Sequence, residues 1–227
     1  MIEQVALLSA KIKMSIEDVQ VHVVPGITTV LATAQVVADM QGNVYMQKKA
    51  EPNQDVVMTK WLGLEGTALL ATLKASALET RYPLGLIEAA KDFNQYLSIE
   101  AEAAMAEKSD VSAMYAVREG GIFGGLWDFA QSNGVGLVID LKKIPVKQET
   151  IEVCEFFDVN PYKLLSGGNL LIATSKGNQL VAQLAQEGIS AAVIGTTTAD
   201  NDRIVTNEEE TRYLEPARED EVYKVLM

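Results

Sequence analysis

"YAVREGGIFGGLWDFA" (residues 115–130) joins an extended approach to a helix through Gly120 and Gly121, with Gly124 and Gly125 one turn further on. A helix start presents free backbone N–H groups and a partial positive charge, so such a turn can hold an anion. The same glycines can instead bend the chain and let the helix pack closely on a sheet. Neither the G-x-x-x-x-G-K-[ST] phosphate loop nor the G-x-G-x-x-G dinucleotide spacing is present. On residue types alone, turn and packing outweigh ligand binding, and Arg118 is the cation that would complete an anion site.

Outward from this turn the chain alternates. A short strand from Val111 leads to the opening glycines and a helix follows to about Asn133; strand patterns at 135–141, 170–174 and 191–195 then alternate with helical patterns at 148–158 and 178–187. Ile204-Val205 and Tyr213-Leu214 flank a polar turn and read as a closing hairpin. Upstream, a strand at 56–61 precedes helices over 67–80 and 84–106, separated at Tyr82-Pro83 and breaking again near Leu97-Ser98. Before a polar loop at 48–54, a helix is expected over 2–14 and strands over 19–24, 27–38 and 44–46. Strand–helix alternation closed by a hairpin predicts an α/β (α+β) fold with helices covering one sheet. The polar stretch Glu107-Lys108-Ser109-Asp110 is the expected boundary between a first domain, 1–108, and a second, 109–227.

Composition narrows the function classes. A chain of 227 residues is long enough to bury a sizeable core. It is 48% hydrophobic without an apolar run near 18 residues, which points to a soluble protein. Glu3 and Gln4 stand where a signal peptide would be basic, so a cytoplasmic location is expected. Nineteen basic against 31 acidic residues give a net charge of −12, which disfavours nucleic acid and anionic membranes as partners. The acidic runs at 207–210 and 218–221 are expected to be solvated faces.

Two further turns are candidate ligand sites. In Thr59-Lys60-Trp61-Leu62-Gly63-Leu64-Glu65-Gly66-Thr67, Gly63 and Gly66 suit a tight strand-to-helix turn, and Glu65 complements the helix dipole. Ser166-Gly167-Gly168-Asn169 precedes an apolar strand and can bring backbone close to a ligand. His22 has no catalytic partners in the sequence and reads as a strand residue. Cys154, the single cysteine, shares a helical stripe with Ile151 and Phe157 and reads as a buried thiol. No residue spacing suggests a metal site.

Three blocks carry a family resemblance: "VVMTKWLGLEGTALLA", "MYAVREGGIFGGLWDFAQSNGVGLVIDLKKIP" and "ETIEVCEFFDVNPYKLLSGGNLLIAT". Their order and spacing resemble the aminoimidazole ribonucleotide (AIR) synthase superfamily, which includes the hydrogenase maturation factor HypE, selenophosphate synthetase and thiamine monophosphate kinase. Within it the chain is most similar to the AIR synthase-related branch near HypE, over residues 56–223. The resemblance implies an N-terminal half-barrel domain, completed in a homodimer, and a C-terminal α/β domain beside it. It also implies ATP and magnesium bound between the domains and phosphoryl transfer to a carbonyl or related oxygen. The ligand- or nucleotide-binding candidates are then Gly63, Glu65, Gly66, Arg118, Glu119, Gly120, Gly121, Ser166 and Gly167.

The chain departs from the family pattern at reactive positions. It is expected to begin late in the N-terminal domain, without the upstream glycine-rich segment and metal-binding aspartates. Where relatives read Met-His-Asp, one residue, then Thr-Glu-Gly-Gly, Tyr115 replaces His, Ala116 replaces Asp and Arg118 replaces Thr, while Glu119, Gly120 and Gly121 remain. The chain ends Val225-Leu226-Met227, whereas HypE ends in the cysteine that carries its modified group. The expectation is a catalytically degenerate, dimeric binding or scaffold protein, dimerised through residues 23–61. The alternatives are an ATP-dependent enzyme completed by a separate N-terminal polypeptide, and an anion sensor using Arg118.

Overall fold

A computed structural model describes residues 48–208, 210–216 and 219–227, which belong to one compact unit, Tyr45–Met227. The expected elements of 2–46, His22 and most of the expected dimer segment lie outside the described residues.

Seven strands form one mixed sheet: β1 (Asp55–Thr59), β2 (Val111–Ala116), β3 (Gly136–Asp140), β4 (Leu170–Thr174), β5 (Ala191–Thr198), β6 (Arg203–Asn207) and β7 (Glu210–Tyr213). Their order is β2-β4-β1-β5-β3-β6-β7, and every pairing is antiparallel except β3 with β6. The helices are α1 (Leu64–Leu73), α2 (Ala75–Leu78), α3 (Leu84–Lys91), α4 (Glu100–Glu107), α5 (Gly121–Asn133), α6 (Gln148–Phe157), α7 (Gly177–Gln186) and α8 (Tyr223–Leu226). The expected closing hairpin is β6–β7, and the expected helix break near Leu97 falls between a 3-10 turn, Asp92–Tyr96, and α4.

Strand alternation decides which layer each residue joins. In β1, Val56 and Met58 enter a core with Ile122, Leu126 and Phe129 of α5. Val57 points the other way, into a core with Ala106 of α4 and Leu180 and Leu184 of α7. All five residues of β4 are buried, as a strand covered on both faces requires. A third cluster joins Leu70 and Ala71 of α1, Ile87 and Ala90 of α3, and Val153 and Cys154 of α6 to Leu164.

The boundary expected at 108/109 falls inside this unit, because β1 sits between β4 and β5 and so shares a sheet with the strands that follow 108. Pairing on both sides also means that Asp55–Thr59 offers no free edge to a second copy.

Candidate functional site

At the β2–α5 turn, Gly120 and Gly121 take φ of 81° and 65°, a left-handed backbone that side chains disfavour. A Cβ on Gly121 would lie 2.6 Å from the Tyr162 carbonyl oxygen and 2.8 Å from the Leu164 nitrogen. One on Gly125 would lie 3.0 Å from Cγ2 of Val117. Gly120 and Gly121 therefore bend the chain, and Gly121 and Gly125 allow close packing. The Phe123 ring, stacked on Tyr162 with centroids 5.1 Å apart, extends that contact along α5.

The N–H at this helix start is already engaged. Gly120 N donates to Oδ2 of Asp220 at 2.7 Å, while Oδ1 accepts from Leu165 N at 3.1 Å and Val222 N at 2.9 Å. Asp220 is 2% exposed. A carboxylate holding three backbone donors at a helix N-terminus is a favourable arrangement. The acidic run 218–221, expected as a solvated face, is thus split: Glu219 is exposed, but Asp220 and Glu221 are buried. Asp220 has N–H partners to satisfy its charge, which makes burial affordable.

The other two candidate turns interlock with this one. Gly63, at φ 68°, caps α1 and donates its N–H to Oγ of Ser166 at 2.8 Å, while the Ser166 hydroxyl donates to the Leu164 carbonyl at 2.9 Å. Gly66 packs beneath Leu164, whose Cγ would be 2.5 Å from an added Cβ. Gly63, Gly66 and Ser166 are buried and hold the turns together. Ser166 N donates to the Arg118 carbonyl and Val117 N to the Asn169 carbonyl, tying the 164–169 segment to the opening turn.

Two residues not singled out as site candidates lock this assembly. Lys60 is 8% exposed and pairs with Glu102 at 2.5 Å. Its ammonium also donates to the carbonyls of Tyr96 at 2.8 Å, Ser98 at 2.6 Å and Gly168 at 3.1 Å. Asn169, fully buried, donates to the carbonyls of Thr59 and Trp61 at 2.8 and 3.0 Å. The available signal was a lone lysine ending an apolar strand and an asparagine opening another; neither names its partners.

Glu65, Arg118, Glu119 and Gly167 reach the surface together, around a cleft of about 410 Å³ that also contacts Leu165 and Asn169. Gly167 lies against the Glu65 carboxylate, where a Cβ would overlap it. Across Arg118 and Glu119 lies a second cleft, about 540 Å³, whose walls include Tyr115, Trp127, Asp128 and Glu219. Both clefts carry more carboxylates than cations, so an incoming phosphate meets repulsion as well as Arg118.

Two phenols at this face are held in their protonated form. The Tyr115 hydroxyl donates to Asp128 at 2.9 Å. Burial, then that bond, pushes its pKa up to about 12, and Ala116 beside it has no ionisable group. The Tyr223 hydroxyl donates to Glu119 at 2.9 Å, and this bond raises the phenol above its ordinary pKa. Cys154 is buried as expected, its thiol pushed up to about 12 first by burial and then by Glu221. Its stripe differs from the expected one: Ile151 is 40% exposed, and the residues buried with it on α6 are Thr150 and Val153.

Among the described residues, no group of three or more His, Cys, Asp or Glu is placed to hold a metal ion. No helix among them is long and apolar enough to cross a membrane.

Residues 51–207 match the family model for "AIR synthase related protein, C-terminal domain". Carbamoyl dehydratase HypE of Azotobacter vinelandii is 26% identical over 164 residues, 70% of this chain and 46% of that protein. The crystal structure of E. coli HypE, a hydrogenase maturation protein, is similar at a TM-score of 0.60 and 18% identity, over 78% of this chain and 54% of that one. A HypE structure in complex with ATP is similar at a TM-score of 0.55 and 17% identity, over 74% of this chain and 52% of that one. This chain therefore spans less than half the length of that curated relative and about half of each solved chain.

Proposed function

This chain belongs to the AIR synthase-related family through that family's C-terminal domain, and we propose that it works as a binding member of the family without catalysis of its own. The observation that carries this reading is the state of the opening turn. Where the resemblance expects His and Asp, Tyr115 is a phenol tied to Asp128 and Ala116 has no polar side chain. The adjoining helix-start N–H is held by Asp220. The residues that would contact a ligand are Glu65, Arg118, Glu119 and Gly167 around the smaller cleft.

Against Mg–ATP, which the resemblance implies, stands the charge of the two clefts, where Arg118 is the one shared cation among several carboxylates. Calorimetry with ATP and magnesium is the test: no binding tighter than about 1 mM, which corresponds to about −4 kcal/mol, is expected. Micromolar binding accompanied by hydrolysis would end this reading. We further propose a cytoplasmic homodimer, checked by light scattering; a monodisperse monomer would exclude the dimer.

A second reading has its own support: Glu65 and Glu119 face one cleft, and a HypE of the same fold was solved with ATP. On that reading the chain is an ATP-dependent phosphoryl-transfer enzyme completed by a separate N-terminal polypeptide. Its test is ATP hydrolysis by this chain mixed with the N-terminal half of a relative; no association between the two would count against it.

A further inference from the structure

We propose that the smaller cleft takes a primary ammonium group carried on a short apolar chain, received by the side-chain oxygens of Asn169 and Glu65. This deepens the binding-member reading and rests on it in placing the ligand at that cleft.

Asn169 carries the inference. It is fully buried, and its amide nitrogen donates to the carbonyls of Thr59 at 2.8 Å and Trp61 at 3.0 Å. Turning the amide over would set its oxygen against those two carbonyl oxygens, so its orientation is fixed. Oδ1, on the other arm of the amide, has no hydrogen-bond partner among the described residues. A buried acceptor left unpaired is costly, and buried polar atoms of folded chains are nearly all bonded. Asn169 lines the smaller cleft together with Gly167 and Gly168, which have no side chains to close that approach. A group that enters the cleft and pairs with Oδ1 has to be a donor.

The neighbouring charges select a cationic donor. Glu65 is half-buried in the same cleft and forms no hydrogen bond or ion pair among the described residues. A Cβ on Gly167 would lie 2.9 Å from its Cδ, so the carboxylate rests on the bare backbone of the turn that leads to Asn169. Glu119 adds a second carboxylate, of which one oxygen accepts from Tyr223. Arg118 is the one cation among the residues lining this cleft, and the charge of Lys60 is matched by Glu102 at 2.5 Å. Two carboxylates and an unpaired amide oxygen against one guanidinium favour an ammonium over an oxyanion.

The rest of the cleft suits an apolar chain. Leu97, Ile99 and Ala116 line it as half-buried side chains. Its two sides are tied together by the Lys60 ammonium, which donates to the carbonyls of Tyr96 and Ser98 on one and of Gly168 on the other. Lys60 takes a left-handed φ of 55° to do so, a conformation that costs a side-chain-bearing residue free energy. Walls held in place before a ligand arrives need little ordering on binding. Such a group is found on an aliphatic amine or on an apolar amino acid, whose carboxylate would then meet Arg118.

The test uses the full chain at neutral pH and constant ionic strength. It follows the Asn169 side-chain amide by NMR during titration with isoamylamine, leucine or isocaproate, which share a branched apolar chain. Isoamylamine or leucine is expected to shift that amide with a Kd of about 1 mM or tighter, and isocaproate, which lacks the ammonium, to leave it unmoved. The tighter of the first two identifies the source as an aliphatic amine or an apolar amino acid. Glu65→Gln keeps the size and removes the charge, and is expected to weaken that ligand by about tenfold. An Asn169 amide unmoved by both ammonium probes, an equal response to isocaproate, or unchanged affinity in a folded Glu65→Gln chain overturns the proposal. If that variant does not fold, the isocaproate comparison in the wild-type chain decides. None of the probes is a nucleotide, so failure here is separate from the calorimetry with ATP and magnesium that tests the proposed function.

Discussion

Gly121 and Gly134 bracket α5 and form a matched pair for asking what the opening glycines do. Both are left-handed, at φ 65° and 72°. A Cβ on Gly134 meets nothing within 4 Å, whereas one on Gly121 meets the backbone of Tyr162, Lys163 and Leu164 at 2.6 to 2.8 Å. Gly134→Ala therefore carries the left-handed penalty alone, about 1–2 kcal/mol, lessened by about 0.4–1 kcal/mol from the less flexible unfolded chain. Gly121→Ala carries the same penalty plus overlap with backbone that has no rotamer to escape into, about 1–3 kcal/mol more. Expected losses are about 1 kcal/mol for Gly134→Ala and about 2–4 kcal/mol for Gly121→Ala. Urea unfolding followed by circular dichroism, with m compared as well as midpoint, measures both. Losses agreeing within about 0.5 kcal/mol would refute the packing account, since that is the ordinary scatter between independent sites. A Gly121→Ala chain as stable as Gly134→Ala but deficient in ligand binding would assign the glycines to ligand approach instead.

The remaining expectations concern the polar groups around the turns. Lys60→Ala leaves Glu102 buried without its cation and three carbonyls without a donor, so a loss of about 3–5 kcal/mol is expected in chemical denaturation. The Lys60→Ala/Glu102→Ala pair should lose less than the sum of the single changes, and strict additivity would count against their coupling. The Cys154 thiol, raised from 9.0 to about 12 in the folded chain, stays protonated over a range in which the unfolded thiol ionises. Its contribution is complete below about pH 9 and is lost as pH rises toward 12, so wild-type stability should fall with pH more steeply than that of Cys154→Ala. Parallel stability profiles for the two chains would contradict this. Tyr115→Phe removes a bond on an accessible surface and should cost no more than about 1 kcal/mol, leaving any ligand affinity unchanged. A large loss of affinity in calorimetry would return Tyr115 to the binding machinery.

Most of the described fold was legible because its signals are local. The apolar run 170–174 is β4, residue for residue; the helix expected to about Asn133 is α5, and the pattern at 148–158 is α6 to within a residue. Periodicity reports which faces are buried, and turn residues report where elements stop. It does not report which strands pair. The polar stretch 107–110 reads as a domain boundary that separates 56–61 from the later strands, yet β1 lies between β4 and β5, and Thr59 bonds Leu170 across more than 110 residues of sequence.

The same division runs through the site. Residue types alone place Arg118, Glu119 and Glu65 beside three glycine-containing turns, and the family resemblance marks Tyr115 and Ala116 as standing where His and Asp are expected. Chain assembly brings these turns into one interlocked face, makes Ser166 and Gly66 internal, and sets Asp220 on the Gly120 N–H at the helix start. An acidic residue in a charged run reads as solvated because nothing in its neighbours announces a donor 100 residues away. Burial of a charge depends on the partners that folding brings to it, and those partners are set by chain assembly rather than by local pattern.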